Sequence, residues 1–197
     1  EAIWKKKMME APQGYLLAST DKLYIPRGRI NPVVLNRDGG KLLYANDGGG
    51  GSFVVLADDY LFSGPGKTGQ IDASRSDSSD HLVTMEGNQI VVHEGRAYMQ
   101  TDKEMSCLDR GKYLRLAEER TGLEKANDRL EQLMKKAKSK KEEGYEAAID
   151  EMIVETEENT VKMKGLSDAM EGCLLWKVPC KFPYSLILAD GVLYAGG

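Results

Sequence analysis

The sequence has few of the residues on which catalytic, metal and redox sites are usually built. It contains two histidines and three cysteines in 197 residues. Cys107, Cys173 and Cys180 form no CxxC pair, no haem-attachment motif and no zinc spacing. His81 and His93 lie in no ligand spacing, and no Ser-His-Asp order or pair of carboxylates stands out for acyl transfer or glycoside hydrolysis. The sequence therefore predicts no catalytic residue, no metal ligand and no cofactor site.

Two further absences restrict the partners of the chain. No apolar run approaches the ~20 residues that a membrane span needs. The net charge of −4 argues against a nucleic-acid-binding surface. The chain begins at Glu1 without Met or a recognisable signal peptide, and we expect it to be a trimmed segment or a fragment.

One glycine-rich stretch resembles a phosphate-binding loop but lacks part of the pattern. Residues 64–69 read Gly-Pro-Gly-Lys-Thr-Gly. A phosphate loop needs a glycine five residues before Gly66, where this chain has Leu61, and it needs a helix afterwards. Residues 70–79 are polar without a helical apolar face, so the stretch is predicted to be a strand and a turn. The glycine run at 48–51 is predicted to be a flexible loop.

What the chain does contain is a repeat that occurs four times. Each copy is a short apolar run, a turn pair and a second run that ends in an aromatic residue. The aromatics Tyr24, Phe62, Tyr98 and Tyr194 are separated by 38, 36 and 96 residues. An Asp-Gly pair precedes Tyr194, and such a pair supplies the positive φ of a tight hairpin. A unit of about 36–40 residues with four short strands is typical of a propeller blade.

The repeat predicts antiparallel meanders, with an additional outer strand near Trp4. Asp72 is predicted to begin a turn of the second unit, and Asp80 stands where that unit should have its aromatic, so this edge is expected to be poorly docked. His93 is predicted to be a core or blade-surface residue. The turns are assigned to Asp21, Asp58, Asp59 and Asp190. The predicted strands are 14–18, 22–27, 33–36, 53–57, 60–64, 90–93, 96–100, 105–109, 173–177, 185–189 and 192–195.

The long third spacing equals one ordinary period plus about 59 residues, which indicates an insertion before the last strand of the third unit. Leu116, Leu123 and Leu130 recur every seven residues, and a three-four apolar spacing returns after residue 144. We predict two antiparallel helices, at 112–139 and 145–170. The pair is either a solvated stalk or an arm that binds a partner. Cys107 and Cys173 flank it, as two buried thiols or as a disulfide.

A family resemblance follows from these motifs. Residues 35–44, Leu-Asn-Arg-Asp-Gly-Gly-Lys-Leu-Leu-Tyr, resemble the Leu-Asp-x-x-Thr-Gly-x-x-x-Trp element of the PQQ-like, or quinoprotein alcohol dehydrogenase-like, β-propeller repeat. Leu108-Asp109 before the insertion and 172–176 after it are similar to the same element. In that family the tryptophan and the Thr-Gly turn dock one blade onto the next. Tyr44 replaces the tryptophan here.

The resemblance implies a mainly β fold with an α insertion. It would be a partial propeller of about three and a half four-stranded blades, carrying an antiparallel helical hairpin. The expected divisions are 1–110 for propeller blades, 111–171 for the coiled-coil hairpin, and 172–197 for the continuation of the propeller. Because relatives close with seven or eight blades, we expect an open arc cut from a larger ring.

Three functions are compatible with this organisation. The first is a noncatalytic scaffold for protein interactions with a projecting coiled-coil arm, its partners being the remaining blades or other proteins. The alternative is a fragment of a PQQ-dependent quinoprotein dehydrogenase whose catalytic residues lie elsewhere. The third is a coiled-coil assembly module with the blades as its base. The resemblance implies a bacterial, periplasmic or otherwise extracytoplasmic setting. Because active relatives use adjacent cysteines, which this chain lacks, we expect no cofactor here.

Overall fold

The computed structural model describes residues 4–8, 11–66, 69–140 and 144–197. Four antiparallel sheets follow one another along the chain. Sheet I contains β1 (Leu17–Ala18), β2 (Lys22–Arg27), β3 (Ile30–Asn36) and β4 (Leu42–Ala45). Sheet II contains β5 (Phe53–Ala57), β6 (Tyr60–Gly64), β7 (Gln70–Arg75) and β8 (His81–Glu86).

The third sheet is interrupted by the helices. Sheet III contains β9 (Gln89–His93), β10 (Arg96–Gln100), β11 (Glu104–Asp109) and β12 (Leu174–Pro179). Between β11 and β12 the chain forms α1 (Arg110–Lys140) and α2 (Tyr145–Glu171). Sheet IV has two strands among the described residues, β13 (Ser185–Ala189) and β14 (Val192–Gly196). The predicted antiparallel meanders and helical hairpin are confirmed.

Two-residue turns close the first hairpin of three sheets. Ala57 pairs with Tyr60, so that two residues lie between them. Two residues also lie between the equivalent paired residues of sheets III and IV. Asp58, Glu94 and Asp190 have φ values of 54°, 49° and 49°, in the left-handed region that these turns require. The sequence prediction that turn chemistry fixes these hairpins is therefore correct.

Strands β2 and β3 of sheet I are buried on both faces: successive side chains of a strand point to opposite sides, and consecutive residues of both strands are buried. Tyr24 and Val34, which are paired across β2 and β3, pack with Leu61 of sheet II. Ile25 and its neighbours on the other face form a second cluster, which the partly buried residues Trp4, Met8 and Leu23 cover. The repeat aromatic Tyr24 thus takes part in the packing between sheets I and II.

Three details of the predicted strands were wrong. The strands β4, β7 and β8 are absent from the predicted set, and no strand forms at Trp4 within residues 4–8. Asp72 lies inside β7, and Asp80 lies in the turn before β8. Pairing of Ala73 with Val83 matches the pairing of Val34 with Tyr44, so Val83 holds the place that the sequence prediction gave to Asp80. Buried polar residues in β7 were mistaken for a turn because such residues rarely occupy strands.

The described helices match the predicted ones to within two residues, and Gly144 before α2 has a φ of 80°. Asn159 Nδ2 donates to Asn127 Oδ1 over 2.9 Å, which joins α2 to α1 near the middle of each. Residues 109–174 form one compact unit, and residues 1–108 with 175–197 form another. Neither helix, as far as it is described, combines the length and apolar character needed to cross a membrane.

Candidate functional sites

The first candidate site is a pair of equivalent docking contacts made by aromatic residues. Trp4 Nε1 donates to the carbonyl oxygen of Arg37 over 2.7 Å, in the turn between β3 and β4. The indole ring lies on Gly40, where a Cβ would come within 2.7 Å of ring atom Cε3. Lys6 Nζ adds a bond of 2.8 Å to the Gly40 carbonyl oxygen. The second glycine of this turn therefore leaves room for a ring.

The same contact recurs one sheet later. The Tyr44 hydroxyl donates to the carbonyl oxygen of Ser76, in the turn between β7 and β8, and the Tyr24 hydroxyl approaches the same oxygen at 3.4 Å. Arg37 and Ser76 are equivalent, because each follows its strand directly and its amide donates over 2.8 Å to Asp21 and Asp59 respectively. The turn of sheet II is thus docked by Tyr44 of sheet I, while the aromatic position of sheet II itself is held by Val83.

Burial raises the pKa of both tyrosines. Desolvation is the main cause at Tyr44 and at Tyr24, since each hydroxyl lies between two sheets. Each phenol therefore keeps its proton at ordinary pH and remains a hydrogen-bond donor. A donor–carbonyl bond in this position acts as a directional link between sheets.

The third aromatic of this series has a different environment. Trp176 of β12 is 37% exposed, and its ring lies 6.2 Å from that of Tyr98, measured between centroids. In sheet IV the chain forms only the equivalents of the first two strands, so the described residues contain no β3–β4 type turn for Trp176 to contact. Ile187, Val192 and Tyr194 of sheet IV are also exposed.

The second candidate site is a polar cluster around the buried carboxyl group of Asp72. His81 Nε2 lies 3.1 Å from Asp72 Oδ1, and the Thr84 hydroxyl donates to the same oxygen. The Gly49 amide donates to Asp72 Oδ2 over 2.6 Å. Burial opposes ionisation of the carboxyl, but the bonds from His81, Thr84 and Gly49 outweigh it and lower the pKa of Asp72. The cluster ties the loop at 48–51 to sheet II.

A cavity of about 550 Å³ lies beside this cluster. Its wall includes Gln13, Arg29, Gln70, Asp72 and the glycines at 49–51. The Asp72 oxygens are already bonded within the protein, and the described residues of the cavity wall include no second carboxylate. Within the described parts of the chain, no group of three or more His, Cys, Asp or Glu side chains could hold a metal ion. The geometry of the cluster is that of a structural link.

The glycine run at 48–51 has a packing role. A Cβ on Gly50 would lie 2.2 Å from the carbonyl oxygen of Gly28, and one on Gly51 would lie 2.1 Å from that of Gly64. Gly28 also donates its amide to the Gly51 carbonyl oxygen over 3.1 Å. The predicted flexible loop is therefore a closely packed strap, because only glycine allows two backbones to approach so closely.

The remaining residues considered in the sequence lie apart from these sites. His93 is exposed at the end of β9. Cys107, Cys173 and Cys180 are free and buried, so the disulfide alternative is not formed. Gly64 ends β6 and Gln70 begins β7, as the strand-and-turn interpretation predicted, while residues 67 and 68 lie outside the described residues. Period-two alternation in residues 71–74 was the signal that could have revealed β7 and its buried Asp72.

Comparisons with known proteins give partial structural likeness. No family model and no curated protein matches the chain. The alignment with the computationally designed Ika8 protein covers 49% of this chain and 32% of the Ika8 chain, at 18% identity and a TM-score of 0.43. The alignment with the computationally designed Ika4 protein covers 54% of this chain and 70% of the Ika4 chain, at 18% identity and a TM-score of 0.46. The alignment with BamB from Moraxella catarrhalis covers 55% of this chain and 36% of the BamB chain, at 16% identity and a TM-score of 0.48.

This chain therefore spans about a third of the length of Ika8 and of BamB.

Proposed function

We propose that this chain is a noncatalytic arc of a PQQ-like β-propeller that serves as a scaffold for protein interactions. Sheets I to IV are its successive blades, and the helical hairpin is its binding arm. The partners are further blades of the same type or other proteins. An extracytoplasmic location in a bacterium belongs to the same proposal, through the resemblance of the repeat.

The observation that carries the proposal is the repeated aromatic contact. Trp4 bonds to the Arg37 carbonyl group, and Tyr44 bonds to the equivalent Ser76 carbonyl group. A contact that recurs at the same position in successive sheets supports the interpretation of these sheets as blades. The carboxyl group of Asp72 is also bonded within the protein, to the Gly49 amide and to His81. These features stabilise a framework, as the proposal requires.

The position of the hairpin supports the second half of the proposal. It enters after β11 and returns at β12, and both strands belong to the same four-stranded sheet. A hairpin turn tolerates a long insertion because loop-closure entropy rises slowly with length. The insertion also forms a compact unit of its own, residues 109–174. An arm built in this way can bind a partner without altering the strands that carry it.

Deletion of the hairpin tests the scaffold. Residues 112–171 are replaced by a short glycine-containing turn, and far-ultraviolet circular dichroism follows the strands. We expect the helical signal to fall and the β signal to remain, with a cooperative unfolding transition. Loss of all β structure would contradict the proposal, because the helices would then belong to the core. An absorbance change on addition of pyrroloquinoline quinone and Ca²⁺ to the full-length chain would favour a dehydrogenase fragment instead.

A further inference from the structure

The two helices of the hairpin differ in the side chains that they expose. α1 carries ten Lys or Arg and five Asp or Glu side chains, whereas α2 carries two and eight. Among the described residues of α1, Leu133 is the only exposed large apolar side chain, while α2 exposes Ile153, Val154 and Val161. The exposed apolar surface of the hairpin is therefore concentrated on the acidic helix.

This apolar surface lies roughly opposite the seam between the helices. Asn159, which bonds to Asn127 of α1, and the buried Ile149 mark the seam side of α2. On the opposite side of α2, half a helical turn from these seam residues, a second set of residues repeats at three-four spacing, and every member of that set is exposed. The outer face of α2 consists of Ala147, Glu151, Val154, Glu158 and Val161.

The outer face combines two properties of a coiled-coil interface. Val154 is 55% exposed and Val161 is 72% exposed, and they are seven residues apart, so they form a stripe along the helix. A shallow groove of about 380 Å³ surrounds Val154, lined by Asp150, Glu151, Glu155 and Glu158. No Lys or Arg occurs from Tyr145 through Val161, and the next residue, Lys162, lies 3.7 Å from Glu158 in an ion pair. Valines provide the apolar contact, and the carboxylates determine the sign of charge that a partner must carry.

A second copy of this chain is a poor occupant of the outer face. Pairing of α2 with α2 would bring carboxylates together, and like charges across an interface are unfavourable. α1 is basic, but its exposed positions include Arg115, Glu119 and Arg129 and provide no apolar stripe. An occupant must combine an apolar stripe with flanking positive charge.

We infer that the outer face of α2 binds a basic amphipathic helix, which packs against α2 alone, on the side away from α1. The inference rests on the proposed function of the hairpin as a binding arm. The partner helix places apolar side chains on Val154 and Val161 and Lys or Arg beside Glu151, Asp150 and Glu155. Contact at heptad spacing provides affinity, and the charges determine orientation and register.

A pair of synthetic peptides tests the inference with the full-length chain. Both span about four heptads with Ile and Leu at the seam positions, which is long enough for a helix to form. The first has Lys at the flanking positions, and the second has Glu there. Fluorescence anisotropy of the labelled peptide measures binding. We expect the Lys peptide to bind, with affinity that falls as salt rises, and the Glu peptide to remain unbound.

Matched substitutions locate the site. Val161→Lys adds one positive charge to the outer face, and we expect a loss of affinity of about tenfold or more, because an apolar contact is replaced by like charge. Val161→Ala removes part of the side chain without a charge, and we expect a smaller loss. Gln132→Lys adds the same charge at an exposed position of α1 and should leave the affinity unchanged. Circular dichroism verifies that all variants keep their helices.

Several results would overturn the inference. These are no binding of the Lys peptide, equal binding of both peptides, or equal effects of Val161→Lys and Gln132→Lys. Self-association in sedimentation that Val161→Lys abolishes would show that a second copy occupies the face. All of these results are independent of the hairpin deletion, so the scaffold proposal can survive a failure of this inference.

Discussion

Phe62 and Tyr194 occupy the same position of the repeat, but their environments differ. Phe62 is fully buried, while Tyr194 is 56% exposed on sheet IV. The two sheets have the same hairpin turn and the same strand pairing at this position, Val55 with Phe62 and Ile187 with Tyr194. Local sequence therefore specifies the hairpin in both places. Burial of the aromatic side chain depends instead on the neighbouring strands and sheets that cover it.

The largest expected effect comes from removing the aromatic itself. Phe62→Ala should lower the free energy of unfolding by about 3–5 kcal/mol, since it leaves a cavity in a packed core. Tyr194→Ala should change it by less than about 0.5 kcal/mol, because the side chain is mostly exposed. Urea unfolding of both variants, followed by the β signal, measures the difference. Similar losses in the two variants would mean that sheet IV is covered in solution.

A second test concerns the strap at 48–51, which lies between sheets I and II. Gly51→Ala should destabilise the protein by up to about 3 kcal/mol, because the new Cβ would meet the Gly64 carbonyl oxygen at 2.1 Å. Gly95→Ala is the matched control, since no atom lies within 4 Å of its Cβ position. Thermal unfolding of the two variants should separate them clearly. An unchanged thermal stability of Gly51→Ala would contradict the close packing of residues 48–51 and favour the flexible loop that the sequence predicted.

The Asp72 cluster gives a pH-dependent test of the same region. Asp72→Asn should cost about 2 kcal/mol near neutral pH, because it weakens the bonds from His81, Thr84 and Gly49. The pKa of Asp72 is lowered by folding, so its stabilising effect is present above the unfolded value of about 3.9 and disappears as pH falls through the lower folded value. Urea unfolding at neutral and at strongly acidic pH measures both. A pH-independent difference between variant and parent would contradict this account.

The smallest expected effect concerns a single hydroxyl group. Tyr44→Phe removes the bond to the Ser76 carbonyl group and keeps the ring, so we expect a loss of about 0.5–1.5 kcal/mol. Tyr194→Phe removes an exposed hydroxyl and should be neutral. Denaturant midpoints at equal slope provide the measurement. Equal midpoints for the two variants would show that the Tyr44 hydroxyl bond does not stabilise the contact between sheets I and II.

Sequence periodicity predicted the features that depend on neighbouring residues. The turn pairs before Tyr60 and Val192 predicted their hairpins, and the heptad leucines predicted the helices, because these signals act within a few residues. The alternation in residues 71–74 was mistaken for a turn, because Asp72 and Ser74 are polar and Asp72 meets its partners Gly49, His81 and Thr84 only in the fold. The sequence prediction also placed Trp4 in a strand, whereas the indole contacts a turn 33 residues away. Long-range partners of this kind leave no local pattern.

The Asn127–Asn159 bond limits how the hairpin can change during evolution. Apolar seams with heptad spacing allow two helices to slide by one repeat, and a partly buried amide pair opposes this because a slipped register would separate the two amides. A deletion between Asn127 and the tip would then be tolerated mainly when the same number of residues is lost between the tip and Asn159. We expect homologous arms to vary in length by matched additions to both helices, with the two asparagines remaining at the same level.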